Sequence, residues 1–190
     1  MRTWKPSREQ IEASYGMTVP DLISPGLKIL FAGINPSLYS AAVGHHFARP
    51  GNRFWPALHA AGFTPRLFSP FEEAMLLDLG YGIANVVDRS TVSADELSAL
   101  EFVEGGRRLE EKILEHSPKV VAFLGITAYR SAFGRPRASI GPQPESIGDS
   151  ILWVLPNPSG LNAHYRLADL ARLYEELKKA AEIRAGRPQP

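Results

Sequence analysis

The sequence predicts an α/β domain built on a mainly parallel sheet that is covered on both faces. Four short apolar runs have the length of strands: "LKILFAG" (27–33), "YGIANVV" (81–87), "KVVAFLG" (119–125) and "ILWVLP" (151–156). The first, third and fourth are nearly continuous in Val, Ile, Leu and Phe, the signature of strands buried on both sides. Segments of helical periodicity separate the runs, and strands alternating with helices fold as parallel sheets. A chain of 190 residues fits one ordinary domain with a real core.

Taken in order, residues 1–24 read as an N-terminal capping segment with a short helix from Ser7, 25–185 as a single domain, and 186–190 as a loose tail. "RFWPALHAAG" and "FEEAMLLDLG" carry helical patterns after the first run. "VEGGRRLEEKILEHSP" sets Leu109, Ile113 and Leu114 at helical spacing, with Pro118 just beyond to stop the helix. "TAYRSAFG" follows the third run. "ADLARLYEELKKAAEIRAG" is amphipathic, with Leu170, Leu173, Tyr174 and Leu177 on one face.

Composition excludes several classes. The chain has no cysteine, so disulfides, cysteine-zinc sites, iron-sulfur clusters and thiol nucleophiles are ruled out. No stretch approaches the roughly 20 apolar residues of a membrane span, and "MRTWKPSREQ" lacks the apolar core of a signal peptide. A cytoplasmic protein is expected. Neither G-x-x-x-x-G-K-[ST] nor G-x-G-x-x-G occurs.

The net charge of +1 hides a segregation. Residues 22–71, 116–144 and 150–168 contain no Asp or Glu, while the first gap holds Lys28, Arg49, Arg53, Arg66 and three histidines, and the second Lys119, Arg130, Arg135 and Arg137. Open parallel sheets bind ligands beyond the carboxyl ends of their strands, and each gap begins near such an end. One positive rim facing a polyanion fits this pattern; loop composition alone also fits it.

At that rim the first run ends in Asn35-Pro36 and the fourth in Asn157-Pro158. Asn-Pro is a common turn and Asn a common helix cap, but two such turns at strand ends on one rim point to a site. Together, "GINPS" (33–37), "HHFARPGNRFW" (45–55), "VVDRST" (86–91) and "VLPNPSGLNAHY" (154–165) resemble the mismatch-specific uracil-DNA glycosylases. This is the branch of the uracil-glycosylase superfamily that includes bacterial G:U mismatch enzymes and eukaryotic thymine-DNA glycosylase. The resemblance runs from about residue 25 to 180, in the same order and with similar spacing.

The resemblance implies a three-layer α/β/α domain with a central four-stranded, mainly parallel sheet. It implies a monofunctional glycosylase of base-excision repair, hydrolysing the N-glycosidic bond of uracil or a related damaged pyrimidine flipped out of duplex DNA, chiefly opposite guanine. The partner is double-stranded DNA carrying a G:U mismatch, the protein a monomer without metal, cofactor or membrane. Asn35 then matches the catalytic asparagine, whose amide holds water or base but is a weaker base than a carboxylate. Phe47 fits the ring that stacks on the extruded base, and backbone groups of Ile34 and Phe47 read its edge. Asn157 stands where the most active uracil glycosylases have a histidine. Leu161 fits the apolar wedge, flanked by Ser159, with Gly160 and Asn162 meeting the orphaned guanine. Ser37 replaces a frequent glycine near the pocket floor. Ala163 replaces a basic residue of some relatives, leaving phosphate grip to His164 and Arg166; Arg49, Arg53 and Arg130 are further phosphate candidates.

Asp88, after the second run, is the other catalytic candidate, since a carboxylate near the rim would assist water or the sugar cation; an ion pair with Arg89 or a helix cap is the favoured account of it. His45, His46 and His59 do not make a metal site, because His45 and His46 are adjacent and no carboxylate lies between 22 and 71 to complete the set. No lysine lies in either matched loop, which argues against a Schiff-base lyase step. Two other readings remain: a non-catalytic mismatch- or lesion-binding module, and a small-molecule nucleoside hydrolase, which the basic rim disfavours.

Overall fold

The computed structural model describes residues 4–185; the expected loose tail, 186–190, lies outside the described residues. A five-stranded sheet forms the centre. Four strands, β1 (Ile29–Gly33), β2 (Tyr81–Asn85), β3 (Val120–Leu124) and β5 (Ser150–Leu155), coincide with the four apolar runs. The spatial order is β2-β1-β3-β5-β4, all neighbours parallel except β4 (Gly141–Ile147), which runs antiparallel along β5 at the edge. The architecture is the expected α/β one, with one strand more than the four anticipated. β4 escapes notice in the sequence because "GPQPESI" contains a glycine and two prolines, tolerable at an edge, and alternates half-buried with exposed positions until Ile147.

Residues along β1, β2 and β3 are buried throughout, because helices cover both faces. Successive side chains on a strand point to opposite sides. Ile29 and Phe31 therefore join one core with Phe54, Leu58, Leu76 and Tyr174, while Leu30 and Ala32 join the other with Leu109, Ile113, Phe123 and Tyr129. The first core is closed by α3 (Phe54–Ala60), α4 (Met75–Asp78) and α7 (Leu167–Ala185), the second by α5 (Ala99–His116) and α6 (Ile126–Phe133). Leu170, Leu173, Tyr174 and Leu177 of α7 are all buried, as their spacing predicts. Burial of each such side chain is worth about 2 kcal/mol. Leu114 is not buried: it lies one residue past Ile113, about 100° further round the helix, and is 54% exposed.

α5 begins four residues before the expected start, where Ser98 caps Glu101 N–H and Glu101 returns a bond to Ser98 N–H, a reciprocal cap worth about 1 kcal/mol. Its two adjacent glycines let it lie on its neighbours: a Cβ on Gly105 would come within 2.2 Å of Val86 O, and one on Gly106 within 2.7 Å of Ala132 O. Two helices precede these: α1 (Arg8–Glu12), capped by Ser7 as expected, and the unforeseen α2 (Leu38–Val43), capped by Ser37. Past α1, Leu22 exchanges two backbone hydrogen bonds of 2.8 Å with Ile83, so the N-terminal segment covers the free edge of β2. No described helix is long and apolar enough to cross a membrane.

The register levels the strand ends. Gly33 of β1 lies opposite Asn85 of β2, and Leu124 of β3 opposite Leu155 of β5. The turns after β1 and β5 and the segment after β2 therefore meet at the carboxyl edge of the sheet.

Candidate active site

A cleft of about 320 Å³ opens at that edge, within the range of small-ligand sites. Its floor comes from the turn after β1. Gly33 admits no side chain, since a Cβ there would lie 2.6 Å from Asn85 Oδ1 and 3.1 Å from Phe47 Cζ. The strand end is therefore bare backbone on which these two groups close. Asn35 follows, its Nδ2 donating to Arg89 O at 3.0 Å and to Thr91 Oγ1 at 2.8 Å. A carbonyl only accepts, so the amide nitrogen must face Arg89. Asn35 Oδ1 is the end left over, on a residue lining the cleft.

The turn after β5 has the opposite polarity. Asn157 Oδ1 accepts the backbone N–H of Ser159 at 3.0 Å, which leaves Nδ2 as the free end; Asn157 lines the same cleft. Its loop is tied down from two sides. Asn162 Nδ2 donates to Asn157 O at 3.0 Å. The Arg53 guanidinium donates to the carbonyls of Tyr165, Ser159 and Asn162, and its backbone N–H to Pro158 O. Gly160 passes so near Gly51 that a Cβ would fall 2.5 Å from its carbonyl oxygen. On this braced loop Leu161 is 77% exposed at the cleft mouth. Val92, also exposed, lines the same cleft from the segment that follows β2.

Phe47 completes the lining with a left-handed backbone, φ 53°, a conformation costly for a bulky residue and frequent at ligand sites. Its ring stacks on Phe54 at 4.1 Å between centroids. Beside it His46 is buried; burial pushes its pKa below the ordinary histidine value against the opposing pull of Glu73. His46 Nε2 lies 3.0 Å from Pro20 O, and Nδ1 3.4 Å from Asn85 Nδ2. His45 Nδ1 meets Glu73 at 2.8 Å. Both histidines are thus committed to the protein.

Asn35, Ile34, Ser37, Phe47, Arg49, Asn157, Ser159 and Leu161 all line the cleft. Ser37 spends its hydroxyl capping α2 and contacting Ser40 Oγ. Arg49 is exposed at the rim. Six candidates do not line the cleft. Asp88 does not line the cleft: its carboxylate faces Lys112 Nζ at 3.6 Å and Arg108 Nε at 3.9 Å on α5, while Arg89 pairs with Glu101. Arg53 braces the loop from within and has no guanidinium face for phosphate. Arg130 holds Ala138 O at the far end of α6, and Arg166 lies exposed beyond the loop. Gly160 and Asn162 shape the loop without lining the cleft. Only two of the three acid-free segments meet here; from the third only Leu124 reaches the lining, and Asp95 adds a carboxylate to the rim.

Sequence reasoning passed over Asn85, His46, Thr91 and Asp95. Asn85 left a usable signal, a polar residue at the carboxyl end of an otherwise apolar run. Thr91 and Asp95 become visible only when the segment after β2 folds against Asn35, and His46 only when Pro20 and Asn85 close on its ring.

Chemically the cleft offers a stacking surface, the free amide oxygen of Asn35, the free amide nitrogen of Asn157 and a bare strand end, with Arg49 and Asp95 as charged groups of the lining, beneath an apolar side chain on a braced loop. A family model for the uracil DNA glycosylase superfamily matches residues 20–178. In fold, the chain is similar to the solution NMR structure of a provisionally assigned uracil DNA glycosylase from Methanosarcina acetivorans, with a TM-score of 0.56 and 20% identity over 87% of this chain and 98% of that one. The family match takes in the floor turn, the β2 end and the Leu161 loop together, and the chain belongs to the uracil DNA glycosylase superfamily.

Proposed function

We propose that the protein is a monofunctional DNA glycosylase that releases uracil from duplex DNA, chiefly opposite guanine, as in the mismatch-specific branch its motifs resemble. The observation that supports this best is the opposed polarity of Asn35 and Asn157 in one cleft. Hydrolysis of the bond between sugar C1′ and base N1 needs an acceptor to orient water on one side and a donor for the departing base on the other. Asn35 Oδ1 accepts from the water as its oxygen bonds to C1′. The electron pair of the broken bond leaves on the base, spread over N1 and O2, where Asn157 Nδ2–H donates to it. The water's proton passes to solvent or to the base anion, because an amide does not retain it.

Phe47 holds the flat base by stacking, roughly 1–3 kcal/mol, and Asn85 reads its edge. Leu161 fills the space the nucleotide vacates, offsetting part of an unstacking cost of a few kcal/mol. Arg49 meets the backbone. A neutral amide in place of a carboxylate base makes the enzyme slow and favours bases that leave readily as anions, each tenfold in rate being about 1.4 kcal/mol of barrier.

The test is single-turnover incubation of excess protein with a labelled G:U duplex, followed by alkali to break abasic sites. Strand cleavage that persists in chelator supports the reading. Tight binding without cleavage would make the protein a lesion-binding module, and release of uracil from free deoxyuridine but not from duplex would make it a nucleoside hydrolase.

A further inference from the structure

We propose that Asp95 is a repulsive element of the DNA face: its carboxylate weakens the hold on the phosphate backbone, so that duplex with no nucleotide in the cleft is not retained. This rests on the glycosylase reading of the cleft. Asp95 is the one acid of the lining, and Arg49 its one exposed cation. The two charges cancel, at a site whose partner is a polyanion.

The fold holds Asp95 in this place. It belongs to a short helical turn (Ala94–Glu96) three residues beyond the exposed Val92 of the lining. Buried Leu97 pins the end of the turn, and Arg89 Nη2 donates to Glu96 O at 3.4 Å. Ser93 opens it, donating its hydroxyl to Asp95 Oδ2 at 3.2 Å and its N–H to Glu96 Oε1 at 3.0 Å. Glu96 is thus spent on the cap and lies outside the lining, whereas Asp95 is exposed within it. Acids nearby are neutralised: Asp88 by Arg108 and Lys112, Glu101 by Arg89, Glu73 by His45. Among the described residues Asp95 has no such partner, only Ser93.

Repulsion does not depend on the details of docking. Duplex DNA carries one phosphate charge per about 1.7 Å of its axis, and charges act over about 8–10 Å at ordinary salt. A carboxylate on the contact face therefore feels several phosphates at once. Because water screens an exposed group, the sum is a modest factor rather than a block. Repulsive elements of this kind shed unwanted partners while attractive contacts hold the right one. Here the attractive contacts are those to the base.

The test measures binding by fluorescence anisotropy at about 50 and 200 mM salt. One duplex is undamaged; the other is non-hydrolysable, with 2′-fluorodeoxyuridine opposite guanine. Asp95→Asn still accepts from the Ser93 hydroxyl but loses the charge, Asp95→Glu keeps it and Asp95→Lys reverses it. Glu96→Gln removes an equal charge outside the lining and can still cap Ser93. Expected at the lower salt is affinity for both duplexes raised about threefold to tenfold in Asp95→Asn, and further in Asp95→Lys. Asp95→Glu and Glu96→Gln should stay within about twofold, and the gains should shrink at the higher salt.

Unchanged affinity in Asp95→Asn, a gain indifferent to salt, or an equal gain in Glu96→Gln would overturn the proposal. So would a loss of about tenfold or more in single-turnover cleavage by Asp95→Asn, which would assign the carboxylate to the chemistry. Failure of the unaltered protein to release uracil from a G:U duplex would instead overturn the reading beneath it. Binding is measured without cleavage, so the two failures are distinguishable.

Discussion

Asn35 and Asn157 turn opposite ends of the same functional group toward one cleft. Arg89 O and Thr91 Oγ1 occupy the nitrogen of the first, and Ser159 N–H occupies the oxygen of the second. Each orientation is set by a backbone group that has only one hydrogen-bonding role, so neither amide turns over without leaving that group unpaired.

Asn35→Ala should lower the single-turnover rate by about a hundredfold or more with abasic-DNA binding unchanged, and Asn157→Ala should act in the same direction. Asp88→Asn should stay within about twofold, because its partners lie on α5. Quench-flow or hand-mixed cleavage assays check all three. Normal cleavage by Asn35→Ala together with loss in Asp88→Asn would move the chemistry out of the cleft.

Gly33→Ala tests how tightly the floor is packed. The added methyl would meet Asn85 Oδ1 at 2.6 Å and Phe47 Cζ at 3.1 Å, costing about 1–3 kcal/mol of stability and displacing the two groups proposed to hold the base. Thermal melting should register the first effect and a weakened affinity for 2′-fluorodeoxyuridine duplex the second. A variant as stable and as tight-binding as the original would show the floor to be compliant.

Arg53→Lys removes a planar fork that reaches three carbonyls, which an ammonium does not replace. The loop carrying Leu161 should loosen, and cleavage of duplex should fall about tenfold while charge is unaltered. Gly160→Ala, which drives a methyl against Gly51 O, should reproduce the defect from the other side. If Arg53 instead gripped phosphate, the lysine would largely preserve activity and the salt slope.

Acid should loosen the Asn35 anchorage. Glu101 is held at about 2, well below its ordinary 4.5, first by Arg89 and then by the N–H and hydroxyl of Ser98. A depressed folded-state value means that the stabilisation is complete above about 4.5 and disappears as the pH drops toward 2. Melting curves over that window should fall more steeply for the unaltered protein than for Glu101→Gln. Parallel curves would show that the pair contributes nothing.

Much of the scaffold was legible in the chain. The four parallel strands and the buried face of α7 follow from apolar runs and helical spacing, because a strand covered on both sides and a helix covered on one each leave a periodic trace. β4 left none, since an edge strand with one covered face tolerates Pro142 and Pro144. α2 was equally silent, being six residues long with little apolar face to bury. In the site, Asn35 and Asn157 were legible as turns at strand ends, and Phe47 and Leu161 as residues of the matched motifs. The carbonyl partners of Arg53 and Arg130 were not, because a positive charge in a sequence carries no record of whether carbonyls or solvent will surround it.

Residue order alone determined that two asparagine turns would end two buried strands, since hydrophobic runs and prolines act locally. Which atom of each amide faces the cleft, that Asn85 lies level with Gly33, that His46 stands behind Asn85, and that Asp88 turns away to α5 were decided only by the tertiary structure. Hydrogen-bond direction and burial depend on partners far apart in the chain, and those partners exist only once the sheet has set its register.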